Sequence, residues 1–198
     1  MVVPLVIMSL NWFIATMVYY GITFGLQFMK DVNLFVLGIV QALAELIGII
    51  TSAFWANKLG RRNSIICNHL CLAVACFSFQ LALYNSASSW VYLVCILVGK
   101  YTSVAGFNII YLITSELFPT NFRGTVFGIT NFVARIGGIL APLIDYEMQN
   151  SFMFVFMVSS LVSVVISFFL TETKGKEIAD TLDHPLSPKE APPPLTSN

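Results

Sequence analysis

The sequence is short of charge. Only 10% of its 198 residues are Asp, Glu, Lys or Arg, against about a quarter in ordinary soluble domains. Ten basic and ten acidic residues cancel, so no net field invites nucleic acid or an acidic partner. Histidine is scarcer still at two, and only His69 lies in an apolar run, which leaves too few ligands for haem pairs. Neither G-x-S-x-G nor H-E-x-x-H occurs, which speaks against an enzyme and leaves no cofactor or metal to expect. The N-x-[ST] glycosylation acceptor is absent too. The four cysteines, Cys67, Cys71, Cys76 and Cys95, all fall in two apolar runs and read as packing residues rather than disulfide or metal partners.

What remains is hydrocarbon, since 57% of the residues are hydrophobic. A bilayer core about 30 Å thick needs roughly twenty residues rising about 1.5 Å each. Six runs meet that need, at about 3–27, 34–55, 65–84, 90–114, 125–144 and 152–170. The expected fold is therefore an all-α membrane protein of six transmembrane helices filling residues 1–171. The remaining residues, 172–198, end in "HPLSPKEAPPPLTSN", too Pro-rich to bury a core and expected to be a disordered tail. The first run is too long for a signal-peptide core and lacks a basic flank, so it is read as a retained helix.

Lys58, Arg61 and Arg62 follow the second run, Arg123 follows the fourth, and Lys174, Lys176 and Lys189 follow the sixth. The opposite loops hold only Lys30. Seven basic residues against one predict that the N-terminus, both basic loops and the tail are cytoplasmic.

Three ionisable residues interrupt the runs: Glu45, Lys100 and Arg135. Counted from the start of each span, all reach about 15 to 17 Å, the middle of the bilayer. A charge there costs about 2.5 to 3.5 kcal/mol on the lenient insertion scale, so all three should face protein or a polar cavity. Two arrangements satisfy that requirement: Glu45 pairing structurally with a cation, or a polar cavity shared by all three.

Helical spacing favours the cavity. Glu45 shares a face with Gln41, Gly48 and Ser52, and Arg135 shares one with Asn131, Gly128, Gly138 and Pro142. Lys100 stands above Phe107, Asn108 and Tyr111, while Trp12, Thr16, Tyr19, Thr23 and Gln27 stripe the first span. Tyr19, Tyr20, Phe107 and Tyr111 could stack on a substrate group. One acid against two bases leaves a cation over, and an anionic ligand group held bidentately by Arg135 is the simplest complement.

The loops are more specific than the spans. "NKLGRR" occupies 57–62, "SELFPTNFRG" 115–124 and "LTETKG" 170–175. Gly60 permits a tight turn, from which Arg61 and Arg62 are expected to meet Glu116 and Glu172, forming with Asn57, Lys58 and Arg123 a cytoplasmic gate.

"NKLGRR" resembles the D-R-x-G-R-R loop of the major facilitator superfamily, and "ELFPTNFR" with "TETKG" resembles its sugar-porter and organic ion transporter branches. "NWFIATMVYYG" resembles the opening of the C-terminal half of organic cation, anion and carnitine transporters, and "GKYTSVAGFNIIYLITSELFP" resembles their tenth helix. The Gln-Gln pair and G-P-x-x-W of sugar porters are absent, which leaves a sugar-porter-like carrier as a lesser alternative. Asn57 stands where that loop has Asp, and Thr171 where the last element has Pro.

The resemblance runs from about Trp12 to Lys174 and covers only the C-terminal six helices of twelve. It implies one half of a major facilitator fold, two inverted three-helix repeats, with the N-terminal six-helix half as partner and a small organic ion as substrate. Glu45 then falls at the acidic position of the cation and carnitine branches. Arg135 falls where the anion and carnitine branches have arginine. Transport of organic anions or zwitterions across the plasma membrane by alternating access is expected, in a protein embedded in membrane lipid. The alternative is a short product that transports nothing and acts as a partner or regulator.

Overall fold

The structure, a computed structural model, describes residues 2–25, 34–85, 88–148 and 151–174. These residues form six helices and no strand: α1 (Val2–Gly25), α2 (Leu34–Leu59), α3 (Arg61–Tyr84), α4 (Ser89–Leu117), α5 (Thr120–Glu147) and α6 (Phe152–Ser167). Five of them are long and apolar enough to cross a membrane. The sixth is 16 residues long, about 24 Å of helix, and its apolar run continues through the turn that ends at Leu170. Gln27, Lys30 and the tail from residue 175 lie outside the described residues.

The helices extend past the predicted spans at both motif loops. Hydropathy marks the hydrocarbon core, but backbone hydrogen bonding carries a helix onward into polar sequence. The expected loop between spans two and three thus shrinks to one residue, Gly60, whose φ of 90° separates α2 from α3. L-residues avoid that conformation, and glycine does not. Pro119 makes the second break. It forces Phe118 into extended backbone, φ −112° and ψ 139°, ending α4. Its own carbonyl then accepts from Phe122 and Arg123 N–H at 3.0 Å each, starting α5.

Packing shows the repeat. Exchanging α1–α3 with α4–α6 turns the α1/α5 contact into α4/α2 and the α3/α4 contact into α6/α1, while α1/α4 and α3/α6 map onto themselves; all of these contacts are present. An odd number of spans per repeat makes the second repeat start from the opposite side, which inverts it. Two approaches of a glycine to the backbone of a crossing helix are also counterparts. A Cβ on Gly137 of α5 would stand 2.5 Å from the Phe13 carbonyl oxygen of α1, and one on Gly48 of α2 would stand 2.9 Å from the Tyr101 carbonyl oxygen of α4. Small residues let backbones approach where lipid offers no hydrophobic drive for association.

Two apolar clusters fill the bundle. One gathers Trp12, Ile65, Ile110, Ile113 and Phe118; the other gathers Val18, Ile22, Phe79, Ile96, Phe152 and Phe156. Between α1 and α6 the apolar packing is joined by polar contacts: Asn11 Oδ1 accepts from Ser163 Oγ at 2.6 Å and Ser167 Oγ at 3.1 Å.

The cysteines are all free. Only Cys76 is buried, while Cys67 and Cys71 face outward. These two lie four residues apart, one turn of α3, on its exposed face.

Candidate functional site

α1, α2, α4 and α5 enclose a cavity of about 370 Å³, within the range of small-molecule sites. α1 contributes Thr16, Tyr19 and Tyr20; α2 contributes Glu45 and Ile49; α4 contributes Val104, Phe107, Asn108 and Tyr111; α5 contributes Asn131, Ala134 and Arg135. The i, i+3, i+4 spacing along α4 and α5 places these side chains on one face of each helix.

The acid on this wall is already engaged. Glu45 Oε1 accepts from Tyr19 Oη at 3.0 Å and lies 2.9 Å from Lys100 Nζ. Lys100 is completely buried. Its ammonium also donates to Thr23 Oγ1 at 2.6 Å and sits 3.5 Å from the Tyr19 ring centroid. Three groups therefore surround one buried cation, as its desolvation requires.

Arg135 differs. It is exposed at the cavity, and no hydrogen bond or ion pair to it occurs among the described residues. Asn131, one turn earlier, spends its amide on the Phe127 carbonyl at 2.8 Å. Asn108 Nδ2 and Thr16 Oγ1 are buried on the same wall without partners among the described residues.

Trp12 and Lys100 do not line the cavity. Trp12 is fully buried behind it, donating from Nε1 to Thr114 Oγ1 at 3.0 Å. Its indole meets Tyr111 at 4.3 Å and Phe107 at 5.3 Å between centroids, edge to face, so its place is to brace the aromatic lining. Burial puts Lys100 behind Glu45 and Trp12 behind Phe107 and Tyr111.

The second site lies where the three motif loops meet. Arg61 forks onto Glu116, with Nη2 at 3.0 Å from Oε1 and Nε at 3.1 Å from Oε2. Thr173 Oγ1 donates to the same carboxylate at 2.7 Å. Glu172 meets no arginine side chain. It accepts instead the backbone N–H of Arg61 at 2.8 Å and of Arg62 at 3.1 Å, an acid capping the start of α3. Arg62 lies over the Phe168 ring at 5.9 Å, and Arg123 Nη2 is 3.4 Å from the Phe118 carbonyl. Lys174 Nζ donates to the Lys58 carbonyl at 3.1 Å. Asn57 is exposed and joins none of these bonds; amide for acid at this position removes the charge that would draw it to the arginines.

The sequence profile of the Major Facilitator Superfamily matches residues 1–142. The chain belongs to the Major Facilitator Superfamily. Among its relatives, the Organic cation transporter protein of Drosophila melanogaster is 29% identical over 87% of this chain and 32% of its own length. Organic cation/carnitine transporter 7 of Arabidopsis thaliana is 30% identical over 77% of this chain and 31% of its own. The chain therefore spans about a third of the length of these relatives. A crystal structure of a D-xylose-proton symporter superposes with a TM-score of 0.73 at 12% identity, over 87% of this chain and 48% of that one, a likeness of fold alone. As a facilitator with several apolar helices, the chain is a multi-pass integral membrane protein.

One buried acid of this facilitator escaped the hydropathy reading. Asp145 of α5 is completely buried, and neither carboxylate oxygen has a partner among the described residues. It falls one residue beyond the predicted span, so the balance of one acid against two bases omitted it. The correction does not supply Arg135 with a partner: ten residues of helix, about 15 Å, separate the two. Thr23 and Thr173 were legible only as polar members of a stripe and a motif, because a hydroxyl's partner is set by packing.

Proposed function

We propose that the chain is the C-terminal half of a plasma-membrane carrier for small organic anions or zwitterions, working by alternating access against an N-terminal six-helix half. In this reading the Gly60 and Pro119 breaks and the segment after Leu170 face the cytoplasm, where the Arg61–Glu116 pair and the Glu172 cap tie the ends of α2, α3, α4 and α6 into one body. The cavity is the half-site for substrate. The observation that carries the proposal is the contrast between its charges: Glu45 is engaged by Lys100 and Tyr19, and Arg135 is left without a protein partner among the described residues. A planar guanidinium on a cavity wall suits a carboxylate or sulfate held bidentately. Tyr20, Phe107 and Tyr111 offer ring faces and edges to the rest of the ligand. The names of the relatives, which include a cation and a cation/carnitine transporter, support an organic ion as cargo.

The test is uptake of matched anionic, zwitterionic and cationic probes by the complete carrier, with and without Arg135→Asp. The reversal is expected to abolish uptake of the anion and raise that of the cation. Unchanged selectivity would remove Arg135 from the substrate site.

A further inference from the structure

A second cavity lies on the other side of α2 and α4. It measures about 210 Å³ and is walled by α2 (Ser52, Trp55, Leu59), α3 (Cys67, Asn68, Cys71) and α4 (Tyr101, Ala105, Ile109) among others. Cys67 is six residues past the start of α3, about 9 Å into the helix, and Trp55, Leu59, Cys67 and Cys71 are all exposed. The groove therefore opens sideways from the part of the bundle that a bilayer surrounds.

Its chemistry is the opposite of the central cavity's. The polar side chains on its wall are spent on the protein: Ser64 Oγ donates to the Trp55 carbonyl at 2.9 Å, Ser52 Oγ to the Ile49 carbonyl at 2.7 Å and Asn68 Nδ2 to the Thr102 carbonyl at 2.6 Å. Tyr101 Oη is 2.9 Å from Thr51 Oγ1. What faces the groove is mainly hydrocarbon, indole and thiol, which suits an apolar chain better than a polar solute.

Where the groove meets the Gly60 turn, the charge is basic. Lys58 follows the groove along α2, exposed, with its ammonium 5.8 Å from the centroid of the Phe54 ring, and Lys174 Nζ donates to the Lys58 carbonyl. The acids of that end are occupied, Glu116 by Arg61 and Glu172 by the α3 N-terminus. We propose that this groove binds a membrane phospholipid with an anionic headgroup, an acyl chain lying along Trp55, Cys67 and Cys71 and the phosphate at Lys58 and Lys174. Such a lipid would splint α2, α3 and α4 from outside. The site stands whether or not the chain transports anything.

Trp55 reports on the occupant. The full chain is placed in nanodiscs containing dibrominated phosphatidylglycerol or dibrominated phosphatidylcholine, and Trp55 emission is taken as the difference between the chain and its Trp55→Phe variant. With two lysines at the headgroup, half-quenching by the anionic lipid is expected at about tenfold lower mole fraction than by the zwitterionic one. Trp90, 76% exposed and isolated in a Trp12→Phe/Trp55→Phe variant, is expected to show no such preference. Lys58→Gln/Lys174→Gln should abolish the preference at Trp55. Because that variant could disturb the turn, the same loss is expected in the unaltered chain at molar salt. Equal quenching by both lipids, a preference that survives both treatments, or no quenching because protein covers the groove would each overturn the proposal.

Discussion

Trp12 and Lys100 are counterparts across the internal repeat. Each directly precedes the residue whose carbonyl receives a glycine of the crossing helix, Phe13 for Gly137 and Tyr101 for Gly48. Each is fully buried behind the cavity wall. Each also donates to a threonine hydroxyl on the other's helix: Trp12 of α1 to Thr114 of α4, and Lys100 of α4 to Thr23 of α1. The same position has been filled once by an aromatic brace and once by a charge, and only the charge requires an acid nearby. That requirement ties Glu45 to the protein and leaves the cavity's free charge to Arg135.

Glu45→Gln is expected to destabilise the bundle by about 3 to 5 kcal/mol, because it strands the fully buried Lys100 ammonium. Lys100→Met should cost less, because the Glu45 carboxylate it leaves behind is 31% exposed. The double variant should lose far less than the two together. Thermal unfolding in lipid of all three variants checks this; additive losses would mean that the pair does not couple.

At the Gly60 turn, two causes act in one direction. An alanine there must adopt φ near 90°, at about 1 to 2 kcal/mol, and its Cβ would stand 2.7 Å from Glu172 Oε2. Gly60→Ala should therefore also displace the cap on α3, whereas Glu172→Gln should weaken the cap alone, by about 0.5 to 2 kcal/mol. Hydrogen exchange of the Arg61 and Arg62 amides distinguishes them from global loosening: both variants should expose these two N–H groups first.

The helices and the loop motifs were legible in the sequence because each rests on a local pattern: run length, turn residues, helical spacing. Which charge meets which was not, because pairing depends on the crossing of helices far apart in the chain. Glu45 is 55 residues from Lys100, and the closeness of α2 to α4 that joins them is made by Gly48 against Tyr101. Asp145 escaped for the opposite reason: hydropathy closed the fifth span one residue early, while the helix continued to Glu147. Glu172 illustrates a third limit. Charge counting matched it to an arginine side chain, but a carboxylate beside a helix start can take backbone N–H groups instead.

The two glycine crossings should respond alike. Gly137→Ala and Gly48→Ala each push a methyl against a carbonyl oxygen, forcing α1 from α5 or α4 from α2. Each is expected to cost about 1 to 3 kcal/mol through overpacking. Gly128→Ala on α5 meets nothing within 4 Å and should gain up to about 1 kcal/mol from helix propensity. Unfolding midpoints of the three variants in one lipid composition give the comparison; an equal effect at Gly128 and Gly137 would mean that propensity, not close approach, governs both.

Arg61→Lys is expected to behave as a loss rather than a conservative change. The guanidinium uses its planar fork on both oxygens of Glu116, and a single ammonium cannot span the two. Glu116 would keep the Thr173 hydroxyl, so the segment after α6 should stay attached while α3 loosens from α4. Thr173→Val should do the reverse, leaving the Arg61 fork intact and loosening that segment, which keeps its Glu172 and Lys174 contacts. Limited proteolysis separates these outcomes: cleavage after Lys174 is expected to accelerate in Thr173→Val and to change little in Arg61→Lys. Thermal stability should fall further in Arg61→Lys, by about 1 to 3 kcal/mol for a charge-assisted pair that is four-fifths buried on both sides. Equal cleavage rates in the two variants would show that Glu116 holds both partners as one cooperative unit.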